Sequence, residues 1–272
     1  MPQTLFDIQR RVIIVTGGLG QLGRQFTLAL LAQGARVAVF DTLIEEERLA
    51  QRFGGERHNP NLQFYQVDVT QRDSIAVALQ AVTAAWGTPH GLINNAALDS
   101  PPNAPAEENG PFETYPEESW DRIMAVNVKG VMLCCQIIGG ALASAGRGSI
   151  INIASIYGLV SPNQTVYEYR RAQGQQFYKP VAYSVSKSAL YNLTRYLATY
   201  WAGQGVRVNT LTFAGVFNNQ SEEFLQAYLP HVPLGRMARD DDYNGAVIFL
   251  LSEASAYMTG SNMVIDGGWT AW

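Results

Sequence analysis

Cysteine, histidine and lysine are scarce in this 272-residue chain, and it has no run of basic residues. The two cysteines, Cys134 and Cys135, are adjacent, and neighbours in a helix point in different directions, so we expect free thiols. The three histidines are scattered without metal-ligand spacing. A net charge of −4 argues against nucleic-acid binding. We therefore expect no metal site and no nucleic-acid partner.

Long apolar segments are also lacking, because we find no apolar run of the ~18–20 residues that a membrane span needs. The start, MPQTLFDIQRR, has no apolar core of a secretory signal. Free thiols suit a reducing compartment. We therefore expect no membrane partner and a cytoplasmic location.

Short β-branched runs alternate with segments of helical apolar spacing. RVIIVTG is typical of a buried parallel strand, and LGRQFTLALLAQG after it predicts a helix that ends at Gly34. The alternation continues to SNMVIDGG near the end of the chain. Parallel strands need crossover helices that cover the sheet. The sequence predicts an α/β fold over residues 1–272: one doubly wound parallel sheet of about seven strands with helices on both faces.

A glycine-rich stretch, IIVTGGLGQLGRQF, joins the first strand to the first helix. Gly18, Gly20 and Gly23 spell G-x-G-x-x-G, which in this context is typical of a Rossmann-type dinucleotide site. Asp41 ends the second strand, where a carboxylate accepts hydrogen bonds from the adenosine ribose and repels a 2′-phosphate. The sequence therefore predicts NAD rather than NADP. The alternative is that Asp41 only caps the following helix.

A second motif, YSVSK, places Tyr183 and Lys187 four residues apart on a predicted helix. Residues at this spacing share a helix face. A nearby ammonium lowers the pKa of a phenol from its usual value of roughly 10. The pair thus predicts a tyrosine that exchanges protons near neutral pH. By itself such a pair is weak evidence, because it also arises by chance.

Polar residues at other strand ends complete the pattern. Asp68-Val69 ends the third strand, Asn94-Asn95-Ala96-Ala97 the fourth and Ser155 the fifth, and Asn127 lies in a long predicted helix. With the glycine loop and the Tyr-Lys pair, this order resembles the short-chain dehydrogenase/reductase family, in its single-domain branch. The resemblance covers the chain from about residue 10 onward. It implies an NAD-dependent oxidoreductase that moves hydride between nicotinamide and a secondary alcohol or ketone.

The resemblance also implies roles for single residues. Tyr183 would exchange a proton with the substrate oxygen, and Lys187 would lower the pKa of Tyr183 and hold the nicotinamide ribose. Ser155 would bond the substrate oxygen, and Asn127 would hold a water that links Lys187 to solvent. The cofactor would contact Gly17, Leu19, Gln21, Leu22, Asp41, Asp68, Val69, Asn95, Ala96, Tyr183, Lys187, Gly215, Val216 and Asn218.

Two departures from the family pattern affect the cofactor site. Gln21 stands where the family has the middle glycine of T-G-x-x-x-G-x-G, and we expect Gly20 to take up the turn instead. Phe213-Ala214 stands near the place where the family carries Pro-Gly. Asn218 lies where a threonine often holds the carboxamide.

Three inserts distinguish the chain, near residues 98–118, 156–180 and 218–237. Ser155 and Tyr183 are 28 residues apart, about twice the family's usual spacing, so we expect the second insert to border the substrate. Its candidate contacts are Tyr157, Tyr167, Tyr169 and Arg170. The alternative is that it packs on a neighbouring subunit. The first insert would lie at the pocket rim, and the third would be a mobile lid.

The inserts more loosely resemble a branch tied to bacterial sugar metabolism, which implies a sugar, sugar-acid or other polar alcohol as the small-molecule substrate. Two alternatives stay open: an epimerase or dehydratase that uses bound NAD transiently, and a non-catalytic NAD-binding regulator. In the family, long apolar helices pair across subunits, so a homotetramer or dimer is implied.

Overall fold

One parallel sheet of seven strands organises the chain, in the order β3-β2-β1-β4-β5-β6-β7. This computed structural model describes residues 4–99 and 106–272. The strands are β1 Val12–Thr16, β2 Arg36–Asp41, β3 Leu62–Gln66, β4 Gly91–Asn94, β5 Gly148–Ser155, β6 Val206–Phe213 and β7 Asn262–Ile265. The predicted doubly wound α/β fold is confirmed, and the strand order reverses between β1 and β4, where such sheets bind ligands.

Helices connect the strands and cover both faces of the sheet. They are α1 Gln21–Ala32, α2 Glu46–Phe53, α3 Arg72–Trp86, α4 Glu117–Ser144, α5 Ile156–Leu159, α6 Glu168–Ala172, α7 Val181–Tyr200, α8 Glu222–Tyr228 and α9 Asn244–Leu251. Gly34 follows the end of α1 with φ +74°, as its predicted place after the last helical turn requires. Short 3₁₀ turns lie at 54–58, 106–109, 112–114, 164–167, 202–204, 229–231 and 253–255.

Alternate residues of each central strand point to opposite faces, so the sheet separates two apolar cores. Ile14 of β1 belongs to the core beneath α3, α4 and α7, whereas Ile13 and Val15 belong to the core beneath α1 and α9. All five β1 residues are buried. Burial on both sides explains why the strands are continuous apolar runs.

The long helix α4 departs from one expectation. By length and composition it is apolar enough to cross a membrane, because an 18-residue window within it has a mean hydropathy of 1.6, so the expectation that no segment reaches that measure is wrong. Half of that 18-residue window is buried inside the protein. Ile138 and both cysteines on this helix pack into the core. These contacts identify α4 as a helix that covers the sheet.

The two cysteines are free and buried, as expected. Burial raises the pKa of Cys134 far above its usual range and that of Cys135 to about 12. Asn94 Nδ2 donates to Cys135 Sγ at 3.3 Å. Because both thiols stay protonated, they act as small core side chains.

A third apolar cluster joins two of the inserts above the carboxyl ends of the strands. Tyr157 and Tyr167 come from the insert 156–180, and Tyr228 comes from the insert 218–237. Tyr228 stacks on Trp269 with ring centroids 4.5 Å apart. Phe224 of α8 lies 6.1 Å from Tyr167. The inserts thus form a packed wall over the edge of the sheet where the candidate site lies. Residues 100–105 of the insert 98–118 lie outside the described residues.

Candidate active site

The glycine loop bends at Gly17, which has φ +62°. A side chain at Gly17 would place its Cβ 2.7 Å from Ala96 Cα, and one at Gly23 would lie 2.2 Å from the Gly17 carbonyl oxygen. Gly20 has an ordinary φ of −67° and caps α1, which begins at Gln21. The expectation that Gly20 takes up the turn is therefore wrong. Gly17 does so, and Gln21 needs no unusual backbone.

Asn95 fastens this loop to the end of β4. Its Nδ2 donates to the carbonyl oxygens of Thr16 and Gly17, each at 3.0 Å. The Thr16 hydroxyl accepts from the main-chain N–H of Asn95 and of Ala96, each at 3.0 Å. These four bonds set the loop against the fourth strand. Asn95 also lines the cavity described below.

The amino end of α1 fits a pyrophosphate. No side chain caps this helix, so the first-turn N–H groups of Gln21, Leu22 and Gly23 remain as donors beside the bend at Gly17. Asp41 Oδ2 accepts from Leu19 N at 3.0 Å, which places the carboxylate at the edge of the same loop. The loop and the carboxylate together suit a dinucleotide.

The segment after β6 faces the glycine loop. Gln21 Nε2 donates to the Phe217 carbonyl oxygen at 2.9 Å, and Gly215 N donates to the Tyr228 hydroxyl at 2.9 Å. Val216 bridges to Ala238. Gly215 and Val216 line the cavity, whereas Asn218, which donates its N–H to Gln220, is exposed and outside it.

The third strand ends at Gln66, just before the predicted adenine contacts. Asp68 Oδ1 accepts from the N–H and the hydroxyl of Thr70, at 2.8 and 2.7 Å. Val69 is buried where α4 comes close, because a Cβ on Gly130 would lie 2.8 Å from it. Asp68 therefore fixes its own turn, and Val69 holds α4 against it.

Ser155 and Tyr183 meet at the end of β5. Ser155 is buried, its Oγ accepts from Tyr157 N at 3.2 Å, and it lines the same cavity as Tyr183. Tyr191, two turns further along α7, donates its hydroxyl to the Ser155 carbonyl oxygen at 3.0 Å. No pattern in the sequence predicted a role for Tyr191. Its hydroxyl ties α7 to the strand that carries Ser155.

Lys187 lies one turn from Tyr183, with Nζ 5.8 Å from the centroid of the tyrosine ring. It is buried, and Nζ donates to the Ile153 carbonyl oxygen at 2.9 Å. Burial lowers the pKa of Lys187 from 10.5 to about 8, and the Asp99 charge opposes this shift.

The pKa of Tyr183 moves in the direction opposite to the expected one. Desolvation raises it well above its usual value, the Asp99 carboxylate raises it further, and the bond with Ser155 lowers it. For the protein chain alone, the pKa of Tyr183 is therefore raised and not lowered, and burial is the largest cause. Tyr183 keeps its proton at neutral pH in this environment.

Asn127 clamps the segment that follows β4. Its Oδ1 accepts from Leu98 N at 2.7 Å, and its Nδ2 donates to the Leu98 carbonyl oxygen at 2.8 Å and to Ser186 Oγ at 3.0 Å. The side chain is buried in a π-helical stretch of α4. Its amide is thus engaged with Leu98 and Ser186, which positions the segment after β4, and the expected hold on a water stays a prediction.

A cavity of about 330 Å³ opens beside Ser155, Tyr183 and Lys187. Two of the predicted substrate residues, Tyr157 and Tyr167, line it. Other lining residues, which the sequence analysis did not assign to the substrate, are Leu22, Asp99, Ile156, Lys179, Gln220, Phe224, Tyr228 and Met237.

Tyr169 and Arg170 were the other two predicted substrate contacts. Neither residue lines the cavity. Arg170 lies over the Phe177 ring instead, 4.2 Å from its centroid. Both residues belong to the short helix α6. Among residues 4–99 and 106–272, no group of three or more His, Cys, Asp and Glu residues is placed to hold a metal ion.

A seven-stranded parallel sheet with this loop, and with Ser, Tyr and Lys around one cavity, defines a nicotinamide-dependent oxidoreductase of the Rossmann type. The family model described as enoyl-(acyl carrier protein) reductase matches residues 20–270. The chain belongs to the short-chain dehydrogenase/reductase family.

Two relatives act on polyols by name. The D-threitol dehydrogenase of Mycolicibacterium smegmatis is 33% identical, over 97% of this chain and 95% of that protein. The galactitol 2-dehydrogenase of Rhizobium johnstonii is 31% identical, over 99% of both chains. A short-chain dehydrogenase of Leptospira borgpetersenii, solved with bound NAD+, is 30% identical with a TM-score of 0.83, over 99% of this chain and 97% of that one.

Proposed function

We propose that this protein is an NAD(H)-dependent oxidoreductase that interconverts a secondary alcohol and a ketone on a small polyhydroxylated substrate. The observation that carries the proposal is the meeting of Ser155, Tyr183 and Lys187 at one cavity beside the glycine loop. The polyol-oxidising relatives support an alcohol substrate. The polar groups around the cavity support a substrate with several hydroxyls.

Tyr183 is the proposed proton carrier. In ketone reduction its phenol, which holds its proton at neutral pH, donates that proton to the oxygen that becomes the alcohol. In the reverse direction it accepts the hydroxyl proton. A nicotinamide held at this site would supply or take the hydride, and its oxidised form would add a positive charge that favours phenolate. Lys187 would hold the nicotinamide ribose and add its own charge.

Ser155 positions the reacting oxygen. Its Oγ lies at the strand end, accepts from Tyr157 N and lines the cavity beside Tyr183. From there the hydroxyl donates to the substrate oxygen as negative charge develops on it. Fixing this donor in a buried site lowers the cost of reorganisation during hydride transfer.

NAD is the proposed cofactor because of Asp41. Its carboxylate lies at the edge of the glycine loop, bonded to Leu19 N, where the adenosine ribose of a bound dinucleotide would lie. A 2′-phosphate there would meet a negative charge. Arg52, the nearby cation, already donates to the Leu19 carbonyl oxygen at 2.7 Å. Gly17, Leu19, Gln21, Leu22 and the residues at the ends of β3, β4 and β6 are proposed to complete the cofactor site.

A cytoplasmic dimer or tetramer is the proposed form of the enzyme. Tyr196 and Tyr200 of α7 are stacked and largely exposed, with 62% and 64% of their surface accessible. Exposed aromatic rings on a long helix are suited to contact with a second subunit. Sedimentation that detects only monomer would contradict this part of the proposal.

The experiment is a panel of polyols, sugars, sugar acids and simple alcohols, each measured at 340 nm with NAD and with NADP. We expect oxidation of a polyol with stoichiometric NADH, and a preference for NAD that Asp41→Asn weakens by about tenfold. Turnover without net NADH would indicate an epimerase or dehydratase. A wild type that prefers NADP, or that acts only on apolar ketones, would contradict the proposal.

A further inference from the structure

An ion pair between Lys179 and Asp99 lies in the wall of the active-site cavity. Lys179 Nζ is 2.7 Å from Asp99 Oδ1 and 2.6 Å from Oδ2. Both residues line the cavity that holds Ser155 and Tyr183. Lys179 Nζ is 4.8 Å from the centroid of the Tyr183 ring, closer than Lys187 Nζ at 5.8 Å. The pair therefore lies beside the Tyr183 ring in the wall of the cavity.

The surroundings hold the ammonium in place. Gln164 Oε1 accepts from Lys179 N at 2.9 Å, and its Nε2 donates to the Lys179 carbonyl oxygen at 3.3 Å. Arg171 donates to the main-chain oxygens of Gln164 and Phe177, at 2.8 and 3.0 Å. The Lys179 side chain is only 12% exposed. The insert thus presents its ammonium at a fixed point of the cavity wall.

The carboxylate is positioned by a different segment of the chain, the one that follows β4. Asp99 follows Leu98, whose N–H and carbonyl oxygen are both bonded to the buried Asn127 side chain. The Asp99 side chain is 45% exposed, so part of it faces the open cavity. Its charge reaches Tyr183 and Lys187, whose pKa values it raises. Asn127 therefore acts on the site through the segment that carries Asp99.

We propose that the Lys179–Asp99 pair is the specificity element that binds a hydroxyl on the carbon next to the reacting carbinol and so selects uncharged polyols. The proposal rests on the proposed function. A hydroxyl both donates and accepts, so it matches a wall that offers an ammonium and a carboxylate side by side. An ammonium has three N–H donors, and the two bonds to Asp99 leave one for the substrate.

A carboxylated substrate fits this wall less well. A substrate with a carboxylate on the carbon next to the reacting one brings only acceptors to that position, and Asp99 adds a negative charge beside it while Lys179 is already paired. The Lys179–Asp99 pair thus favours a polyol over the other substrate classes that the sequence left open.

The test compares butane-2,3-diol with butan-2-ol, which has the same carbon chain but no hydroxyl beside the reacting carbon. We expect the wild type to prefer the diol in kcat/KM, with most of the preference in KM. Lys179→Met should lower kcat/KM for the diol by about 10- to 100-fold more than kcat/KM for butan-2-ol, as expected for a hydrogen bond to a charged group. Lys179→Arg should restore part of the diol activity.

Lys129→Met is the matched control, because Lys129 is an exposed lysine that does not line the cavity. It should leave both substrates unchanged. NADH titration of every variant checks that the cofactor site is intact. If Lys179→Met does not fold, Asp99→Asn serves as the test instead. We expect Asp99→Asn to raise kcat/KM for a sugar acid relative to a polyol by about tenfold.

Two results overturn the inference while the proposed function stands. One is an equal loss on both alcohols in Lys179→Met, which would mean that Lys179 acts on Tyr183 instead of on the substrate. The other is a wild type that oxidises polyols yet does not distinguish the diol from butan-2-ol. A wild type that oxidises no alcohol with either coenzyme contradicts the proposed function, and this inference with it.

Discussion

Replacing Asn127 by alanine should cost stability and loosen the substrate side of the site together. The change removes three hydrogen bonds, two to the Leu98 main chain and one to Ser186 Oγ. It leaves the Leu98 N–H and carbonyl oxygen without those partners, beside a side chain that was fully buried. At about 1 kcal/mol for each lost bond, we expect a loss of roughly 2–4 kcal/mol in the free energy of unfolding.

For a domain of this size that loss corresponds to a fall in Tm of about 4–16 °C. Because Leu98 precedes Asp99, we also expect faster hydrogen exchange around Leu98 and a higher KM for the polyol. NADH affinity should change little. The assay is thermal unfolding together with hydrogen exchange and steady-state kinetics.

Ser186→Ala is the graded comparison, because it keeps both bonds between Asn127 and Leu98. It removes the bond from Asn127 Nδ2 to Ser186 Oγ and the bond from Ser186 Oγ to the Tyr183 carbonyl oxygen. It should leave exchange at Leu98 close to that of the wild type. An Asn127→Ala variant with unchanged Tm and unchanged exchange at Leu98 would refute the reasoning that this amide fastens the segment.

Two further predictions concern the cofactor loop and the buried lysine. Gly17→Ala should lower NADH affinity by at least about tenfold, because the new side chain would sit at a φ of +62° with its Cβ 2.7 Å from Ala96 Cα. Gly20→Ala should bind NADH nearly as the wild type in fluorescence titration, because its Cβ approaches only the Gly17 oxygen, at 3.2 Å. Equal losses of affinity in the two variants would contradict this prediction. Burial lowers the pKa of Lys187 from 10.5 to about 8, so between pH 8 and pH 10.5 the unfolded chain binds more protons than the folded chain. The free energy of unfolding of the wild type, relative to that of Lys187→Met, should therefore rise from about pH 8 to pH 10.5 in denaturant titrations. A flat or falling difference would contradict the burial of the charge.

Much of the fold and the catalytic set follows from the sequence, because local patterns carry both. The β-branched runs predict the strands, and their ends place Ser155 and Asn95 at one edge of the sheet. The Tyr183–Lys187 spacing places both side chains on one turn of α7 because a helix fixes that geometry.

The rest depends on contacts between distant parts of the chain. Lys179 and Asp99 are 80 residues apart, and no local pattern pairs them. The packing of Tyr228 on Trp269 likewise joins the insert to the end of the chain. The Tyr183 pKa was predicted in the wrong direction because desolvation depends on how tightly the inserts close over the phenol, which spacing alone does not show.

The central claim is that Tyr183 is the proton carrier of a nicotinamide-dependent reaction. The most direct test is kcat of Tyr183→Phe on the best alcohol from the panel, with NADH affinity measured on the same preparation. The account predicts a loss of kcat of about 10²–10⁴-fold with NADH affinity nearly unchanged, because only the phenolic hydroxyl is removed. A Tyr183→Phe enzyme that turns over at a rate close to that of the wild type would contradict it.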